Sequence, residues 1–555
     1  MQDSGQHKLS RTIKTFFEKN KSVTFKEING ILKKVCGISD FFSTEEDYVN
    51  LCFENDCRNR LEYGDFQTNM VLAQRIAKNI KQRGISPQII IEPTCGYGNF
   101  LVAALETFDN IEKIFAVEIS ENYVKAAKYQ ILDFFLNNPD KQPPETEIFN
   151  SDVFNFGFEK IKRHCKGKNI LILGNPPWVT NSKLSVFNSA NLPNKTNFKN
   201  AKGIEAITGK GNFDVAEYIC YILLQHFGCF DGNLALLVKN TVIKNILYRQ
   251  KAVRFPISNI EKLAIDSKKE FGVSADASLF FCRLNSNPQE ICSEFDFYEM
   301  RKKSDFGWQN GRFMSDINTQ NIDIEGVCQL EWRQGVKHDC TKVMELERID
   351  GGFKNKLGET FNLEDDLVYD ILKSSDLQQY TPDFQRKCTI ITQKKAGEST
   401  DYIKNFPLTY NYLERHVSYF DSRKSVIYKN KPKFSIFGIG DYSFKPYKVA
   451  ISGLYKNFRF TLVKPLNGKP VMLDDTCYFL GFDDLEQAET VLKLLNTEIT
   501  GNFLRSIAFS DSKRMITKEL LMRIDLFKIE KNTNGKSLSE KGFVKKEKYS
   551  QAVLF

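Results

Sequence analysis

Ile89-Ile90-Ile91-Glu92-Pro93-Thr94-Cys95-Gly96-Tyr97-Gly98-Asn99-Phe100 decides the fold. Three isoleucines read as a buried strand, and the glycines on either side of Tyr97 read as a tight turn into a helix. Gly96 and Gly98 let backbone approach a ligand closely, and a helix beginning near Asn99 presents unbonded N–H groups to it. A strand, glycine turn and helix in this order opens a doubly wound α/β sheet. A glycine pair after a strand also suits a nucleotide phosphate or a purely structural turn. Glu92, placed just before the turn, favours a cationic ligand over a pyrophosphate.

Downstream, Ile114-Phe115-Ala116-Val117-Glu118-Ile119 reads as a second strand with a terminal carboxylate, placed to accept from two ribose hydroxyls. Glu147-Ile148-Phe149-Asn150-Ser151-Asp152-Val153 ends in Asp152, which can accept from the exocyclic amine of an adenine ring. One strand-end acid is ordinarily solvated; three at successive strand ends point to a pocket. The apolar run Ile170-Leu171-Ile172-Leu173-Gly174 then meets Asn175-Pro176-Pro177-Trp178. An exocyclic amine on a nucleobase is a poor nucleophile because its lone pair is delocalised into the ring. The Asn175 side-chain oxygen and the Pro176 carbonyl, aimed at its N–H groups, would localise that pair on a more tetrahedral nitrogen. Pro176 and Pro177 hold a carbonyl in place through their fixed φ, and Trp178 offers a flat face to an extruded base. A proline turn with an aromatic anchor is an ordinary strand ending, so the tetrapeptide gains its meaning from the upstream turn.

In this order the motifs resemble those of the S-adenosylmethionine-dependent amino-group DNA methyltransferases, in the arrangement called the gamma class. Tyr63-Gly64-Asp65-Phe66-Gln67-Thr68 is similar to that family's motif X, Glu92 to Phe100 to motif I, Glu118 to motif II and Asp152 to motif III. Asn175 to Trp178 is similar to motif IV, Gly211-Asn212-Phe213-Asp214-Val215-Ala216-Glu217-Tyr218 to motif V and Gly232-Asn233-Leu234-Ala235-Leu236-Leu237-Val238 to motif VI. The resemblance implies that Asn175, Pro176, Pro177 and Trp178 form the catalytic turn, with Phe271 and Trp178 sandwiching the target base. It implies that Glu92 and Gly96 line the methionine end of S-adenosylmethionine with Thr68 near its carboxylate, that Glu118 holds its ribose and Asp152 and Val153 its adenine, and that Pro93, Cys95, Gly98 and Ile119 also bind this cofactor. Asp214 is a further pocket residue. Tyrosine or phenylalanine is commoner than tryptophan at 178, and asparagine rather than serine at 175 implies adenine N6 over cytosine N4.

The fold expected is a Rossmann-like doubly wound mixed sheet of the class I methyltransferase kind at 62–284. A helical extension at 1–61 precedes it, and a linker at 285–325 leads to a mixed α+β target-recognition domain at 326–530 and a basic, mobile tail at 531–555. At 555 residues, two to four folding units are expected, and 41% hydrophobic with 26% charged residues is a globular composition. The net charge of +9 is compatible with a polyanionic partner without proving one. Thirteen cysteines contain no Cys-x-x-Cys pair, so no metal is expected, and Cys95 reads as a small buried residue. No signal or membrane-length apolar run appears, which points to a cytoplasmic setting.

Beyond 325 short strands with interleaved aromatic and basic residues are expected at Ser425-Val426-Ile427-Tyr428, within 434–444, and at Tyr447-Lys448-Val449-Ala450-Ile451-Ser452-Gly453. Arg423, Lys424, Lys433, Lys445, Lys448, Lys513 and Arg514 are candidate phosphate or base contacts, and Tyr442 a candidate wedge, against the ordinary reading of each lysine as a solvated side chain. Pro382-Asp383 with Gln393-Lys394-Lys395 has the outline of a divalent-metal nuclease centre but lacks a further acid. The expected activity is site-specific adenine N6 methylation of duplex DNA, with a separate cognate restriction endonuclease left open as a partner. The rivals are RNA or protein-glutamine methylation, and a DNA-binding subunit with a vestigial transferase site.

Overall fold

The structure, a computed structural model, describes residues 10–49, 67–179, 214–273, 276–318, 323–378, 387–455, 457–509, 514–533 and 537–544. The chain divides into two compact units, Met1–Phe313 and Met314–Phe555.

The first unit begins with α1 (Arg11–Lys19), α2 (Phe25–Cys36) and α3 (Glu45–Val49). Thr24 and Glu27 form a reciprocal capping box that fixes the start of α2. There follow α4 (Met70–Gln82), β1 (Ile89–Glu92), α5 (Asn99–Thr107), β2 (Lys113–Glu118), α6 (Glu121–Asn137), β3 (Glu145–Asn150), α7 (Glu159–Cys165) and β4 (Ile170–Gly174). The unit continues through α8 (Val215–Phe227), β5 (Gly232–Lys239), α9 (Asn240–Val253), β6 (Ser258–Ile265), α10 (Ser267–Phe271), β7 (Ala277–Arg283), β8 (Ile291–Asp296), β9 (Lys302–Gln309) and β10 (Arg312–Met314). α1 and the segment after α2 pack on α6 through Phe17 and Phe41, which meet Tyr129 edge to face.

The strands form one sheet in the order β10-β9-β8-β6-β7-β5-β4-β1-β2-β3. From β3 to β5 all pairs are parallel, and β7 enters antiparallel between β5 and β6. β1, β2 and β4 are buried along their whole lengths, because crossover helices cover both faces of a parallel sheet; this is why they are unbroken apolar runs. The chain leaves β1 towards β2 and β3 on one side and returns to β4 and β5 on the other. The strand order therefore reverses between β1 and β4, opening a crevice at their carboxyl ends where ligands bind in such sheets.

Residues 285–325 are not a linker throughout. β8 pairs parallel with β6, and β9 pairs antiparallel with β8, so 291–309 extends the sheet. These strands are only partly buried, so they carry a mixture of polar and charged residues that reads as a connection.

The second unit holds two sheets. One orders β11 (Arg333–Gln334), β20 (Cys477–Phe482), β17 (Tyr447–Ser452) and β18 (Thr461–Val463). The other orders β14 (Thr360–Phe361), β13 (Gly352–Asn355), β12 (Glu345–Ile349), β16 (Lys387–Ile390), β15 (Val368–Leu372) and β19 (Met472–Leu473). Trp332, Phe460 and Tyr478 share one core with the helices Leu485–Leu495 and Glu498–Ile507, while Val343, Val368, Ile390 and Tyr412 form another. Tyr447–Ser452 is a strand as expected, but 426–428 and 441–444 are single 3-10 turns. The Ile436 N–H between them is satisfied by the Gln393 side chain rather than by a neighbouring strand. That use of Gln393, fully buried with its amide also donating to the Glu398 carbonyl, is structural and replaces the nuclease outline; Pro382 and Asp383 lie outside the described residues. The tail is packed for part of its length: Leu538 is buried in the first core and its N–H donates to Glu530 at 2.6 Å.

Candidate active site at the reversal of strand order

The glycine turn after β1 is tied to β2. Cys95 N donates to the Val117 carbonyl at 3.0 Å, and Gly96 N donates to Glu118 Oε2 at 2.9 Å. Ser120 N donates to Glu118 Oε1 at 2.9 Å, so each oxygen of this carboxylate is oriented by backbone. Gly96 has φ +51° and lies over Gln67, whose Oε1 would be only 2.6 Å from an added Cβ. Gly98 (φ +82°) starts α5 against Ala127. Asn99 then donates to the Thr68 carbonyl at 2.7 Å, fastening the segment ahead of α4 to the turn.

The turn after β4 meets the same place. Asn175 Nδ2 donates to Thr68 Oγ1 at 3.2 Å, and Thr94 Oγ1 reaches the Asn175 carbonyl at 3.5 Å. An added side chain at Gly174 would lie 3.4 Å from Glu92 Cγ and 3.6 Å from Pro93 Cδ. Pro176 is buried, while Asn175 and Pro177 are half-buried. The structure thus brings Gly174 beside Glu92 and Asn175 beside Thr68 and Thr94, while Glu118 holds the Gly96 turn that follows Glu92. Asp152 lies at the end of the neighbouring strand, β3: it is half-buried, accepting from Phe154 N at 3.0 Å and Asn155 Nδ2 at 2.9 Å. Val153 is buried next to it, whereas Ile119 is exposed after β2.

Glu92 is almost fully buried, and its Oε2 has no hydrogen-bond partner among the described residues. Burial, with the charge of Glu118 nearby, pushes its carboxyl well above the usual carboxylate range. A buried acid without a partner is costly, and a cationic ligand that donates hydrogen bonds would relieve it. Burial, with Glu118 and Glu92 alongside, likewise holds the Cys95 thiol protonated, which suits a small buried residue rather than a nucleophile.

Trp178 is buried, its Nε1 donating to the Leu237 carbonyl at 3.2 Å. Phe271, at the end of α10, meets it edge to face with ring centroids 5.0 Å apart and planes at 68°. A base stacked between two rings needs roughly 7 Å, twice an aromatic contact distance. The expected sandwich is therefore closed in this structure, because the two rings satisfy each other. Residues 63–66, 211–213, 274 and 275 lie outside the described residues.

Most of the expected DNA contacts have partners within their own unit. Arg423 donates to the Ser435 carbonyl at 2.7 Å and the Lys433 carbonyl at 3.1 Å, and covers the Tyr428 ring at 3.8 Å. Lys433 pairs with Glu414 at 2.7 Å, Lys445 with Asp483 and Arg514 with Asp475 at 2.9 Å, while Tyr442 lies under Arg333. Lys448 is a correction: at 1% exposure, with Nζ donating to the Lys445 carbonyl at 2.8 Å, it cannot meet a phosphate. β17 is buried from Lys448 to Ser452, with Val449 and Ile451 in one core and Ala450 in another, so both of its faces are covered; sequence alone does not reveal this. Lys424 is exposed, and with Lys342, Asp339, Tyr419 and Arg423 it lines a groove of about 780 Å³. Lys513 lies outside the described residues. Among the described residues no helix is long and apolar enough to cross a membrane.

No family model matches the chain. A relative from Nostoc sp. (strain ATCC 29411 / PCC 7524), Type II methyltransferase M.NspV, is 39% identical over 475 residues, covering 84% of this chain and 97% of its own length. Among solved structures, the Type IIL restriction-modification enzyme MmeI in complex with DNA is similar with a TM-score of 0.53 at 14% identity, over 84% of this chain and 64% of its own. At that identity the likeness bears on the fold.

Proposed function

The chain belongs to the Type II methyltransferases, DNA-modifying enzymes of restriction-modification systems that use S-adenosylmethionine, and from that premise we propose that it methylates N6 of an adenine swung out of duplex DNA at a specific site. The observation that carries this reading is the meeting of two strand ends: Asn175 against Thr68 and Thr94, and Gly174 against Glu92. It supports a clamp for the target amine placed directly beside a donor site.

The residues present fit the donor. Glu92 suits its cationic methionine end, the Gly96 turn leaves room for it, the Glu118 carboxylate, oriented by backbone, suits ribose hydroxyls, and Asp152 with Val153 and Ile119 suits its adenine. When bound, S-adenosylmethionine supplies a methyl group on a cationic sulfur. The Asn175 side-chain oxygen and the Pro176 carbonyl accept the two N–H groups of the target amine, which localises its lone pair for attack without a covalent enzyme intermediate. Pro176 and Pro177 keep that carbonyl fixed. Phe271 swings away from Trp178 to admit the ring, with Gly272, left-handed at φ +68°, as the pivot. The same reading pairs the enzyme with a cognate restriction endonuclease on a separate chain.

Labelled donor offered to duplex DNA, RNA and protein extract, with the modified group identified after digestion, tests the reading. N6-methyladenine in duplex DNA is expected. N4-methylcytosine, or label confined to RNA or to protein glutamine, would overturn it.

A further inference from the structure

We infer that Lys239 is a positioning residue that holds the catalytic turn in register with the aromatic wall of the target site. The inference rests on the reading of Asn175 to Trp178 as the target clamp. β5 is apolar and buried from Leu234 to Val238 and then ends on Lys239, whose ammonium turns back towards the residues that follow β4. Its Nζ donates to the Trp178 carbonyl at 2.9 Å and pairs with Asp214 Oδ2 at 2.5 Å. Asp214 Oδ1 meanwhile caps α8, accepting from Ala216 N at 3.1 Å, and Val215 N donates to the Val179 carbonyl at 2.9 Å. The indole of Trp178 is gripped from the same strand, at the Leu237 carbonyl. Main chain and side chain of Trp178 are thus both held by the last three residues of β5.

The next residue reaches the opposite wall. Asn240 Oδ1 accepts from Ser278 Oγ at 2.6 Å, and Asn240 N donates to the Asp276 carbonyl at 3.1 Å. Ser267 Oγ accepts from Ala277 N at 3.0 Å, joining the start of α10, which carries Phe271, to the start of β7. One strand end therefore sets the position of Trp178 through Lys239 and the footing of Phe271 through Asn240. Among the described residues the partners of the Lys239 ammonium are the Trp178 carbonyl and Asp214, not the Asn175 oxygen or the Pro176 carbonyl that would hold the target amine; it acts by fixing where the Trp178 backbone runs, one residue beyond Pro177.

Removing Lys239 alone leaves the Asp214 carboxylate facing a bare carbonyl, so the test pairs Lys239→Met with the double variant Lys239→Met/Asp214→Asn, which restores neutrality and retains a capping side chain. The substrate is a duplex carrying the site mapped in plasmid DNA modified by the wild-type enzyme, with 2-aminopurine at the target position in a parallel set. Both variants are expected to lower the single-turnover transfer rate by about 10- to 100-fold while donor affinity stays within about twofold of wild type. Lys239→Arg should recover part of the rate, and the 2-aminopurine signal on binding should change in the Met variants and return with arginine. A wild-type rate in the double variant, loss of donor affinity in step with rate, or an unaltered 2-aminopurine signal would each overturn the inference. If the wild-type enzyme instead proves to modify cytosine or RNA, the target reading fails by itself, and the same variants are compared on that substrate by rate and donor affinity.

Discussion

In the first unit the informative acids stand at the carboxyl ends of parallel strands: Glu92 is buried with an oxygen that has no hydrogen-bond partner among the described residues, and Glu118 is oriented by two backbone N–H groups. In the second, the basic side chains expected to meet DNA are mostly bonded to carbonyls and carboxylates of their own unit, as Arg423, Lys433 and Arg514 show. The difference teaches that a charge acquires a function from what it lacks. Among the described residues Glu92 Oε2 has no hydrogen-bond partner, which suits a ligand; Arg423 has four backbone carbonyls within reach, those of Phe420, His338, Ser435 and Lys433, and serves the fold.

The strongest way to break this comparison is to separate clamp from donor site. Asn175→Ala is expected to reduce methyl transfer by about 10²- to 10³-fold, with donor binding largely retained. Asp152→Ala should do the reverse, weakening donor binding first. Equilibrium binding of labelled donor beside single-turnover transfer distinguishes them, and an equal loss of donor affinity in both would contradict the assignment.

Next in size is Lys448, pulled down to about 7 by burial. Its folded value lies below its ordinary 10.5, so the unfolded chain binds more protons between those values, and stability rises with pH across that window. The penalty is complete below about 7. Lys448→Met should therefore stabilise the protein at pH 6 by about 1–3 kcal/mol, with the gain fading towards pH 10, and should leave DNA affinity unchanged. Weakened DNA binding would place this lysine at an interface after all.

Glu92 has the opposite character. Its carboxyl titrates higher in the folded chain than the ordinary 4.5, so the free protein loses stability as pH rises from there towards the raised value. Glu92→Gln should abolish that slope in the donor-free protein and weaken donor binding at neutral pH; an unchanged slope in denaturation measured across pH would assign it elsewhere. The smallest effect belongs to the groove of the second unit, where Lys424→Ala should lower duplex affinity about two- to fivefold and flatten its salt dependence.

The first unit was legible because a parallel sheet covered on both faces demands apolar runs, and β1, β2 and β4 supply them, each leading into a chemically distinctive residue. The far edge was not. β8 and β9 are half-exposed and lack such runs, so 291–309 resembled a connection. In the second unit, strands as short as Arg333–Gln334 and Met472–Leu473 carry too few residues for a period to register. The role of Lys239 escaped notice for another reason: a lysine after an apolar strand reads as a solvated end, and only the fold brings Trp178 and Asp214 to it.

The edge-to-face pairing of Trp178 and Phe271 also bears on what the enzyme ignores. On the proposed reading these two rings receive the target base, so at rest that receptor is shut, and prising the rings apart costs the contact between them. A free adenine nucleoside brings only its own stacking to offset that cost. A duplex brings in addition all its backbone contacts, and discrimination between polymer and monomer can thus begin at a pair of aromatic rings, before any sequence is read.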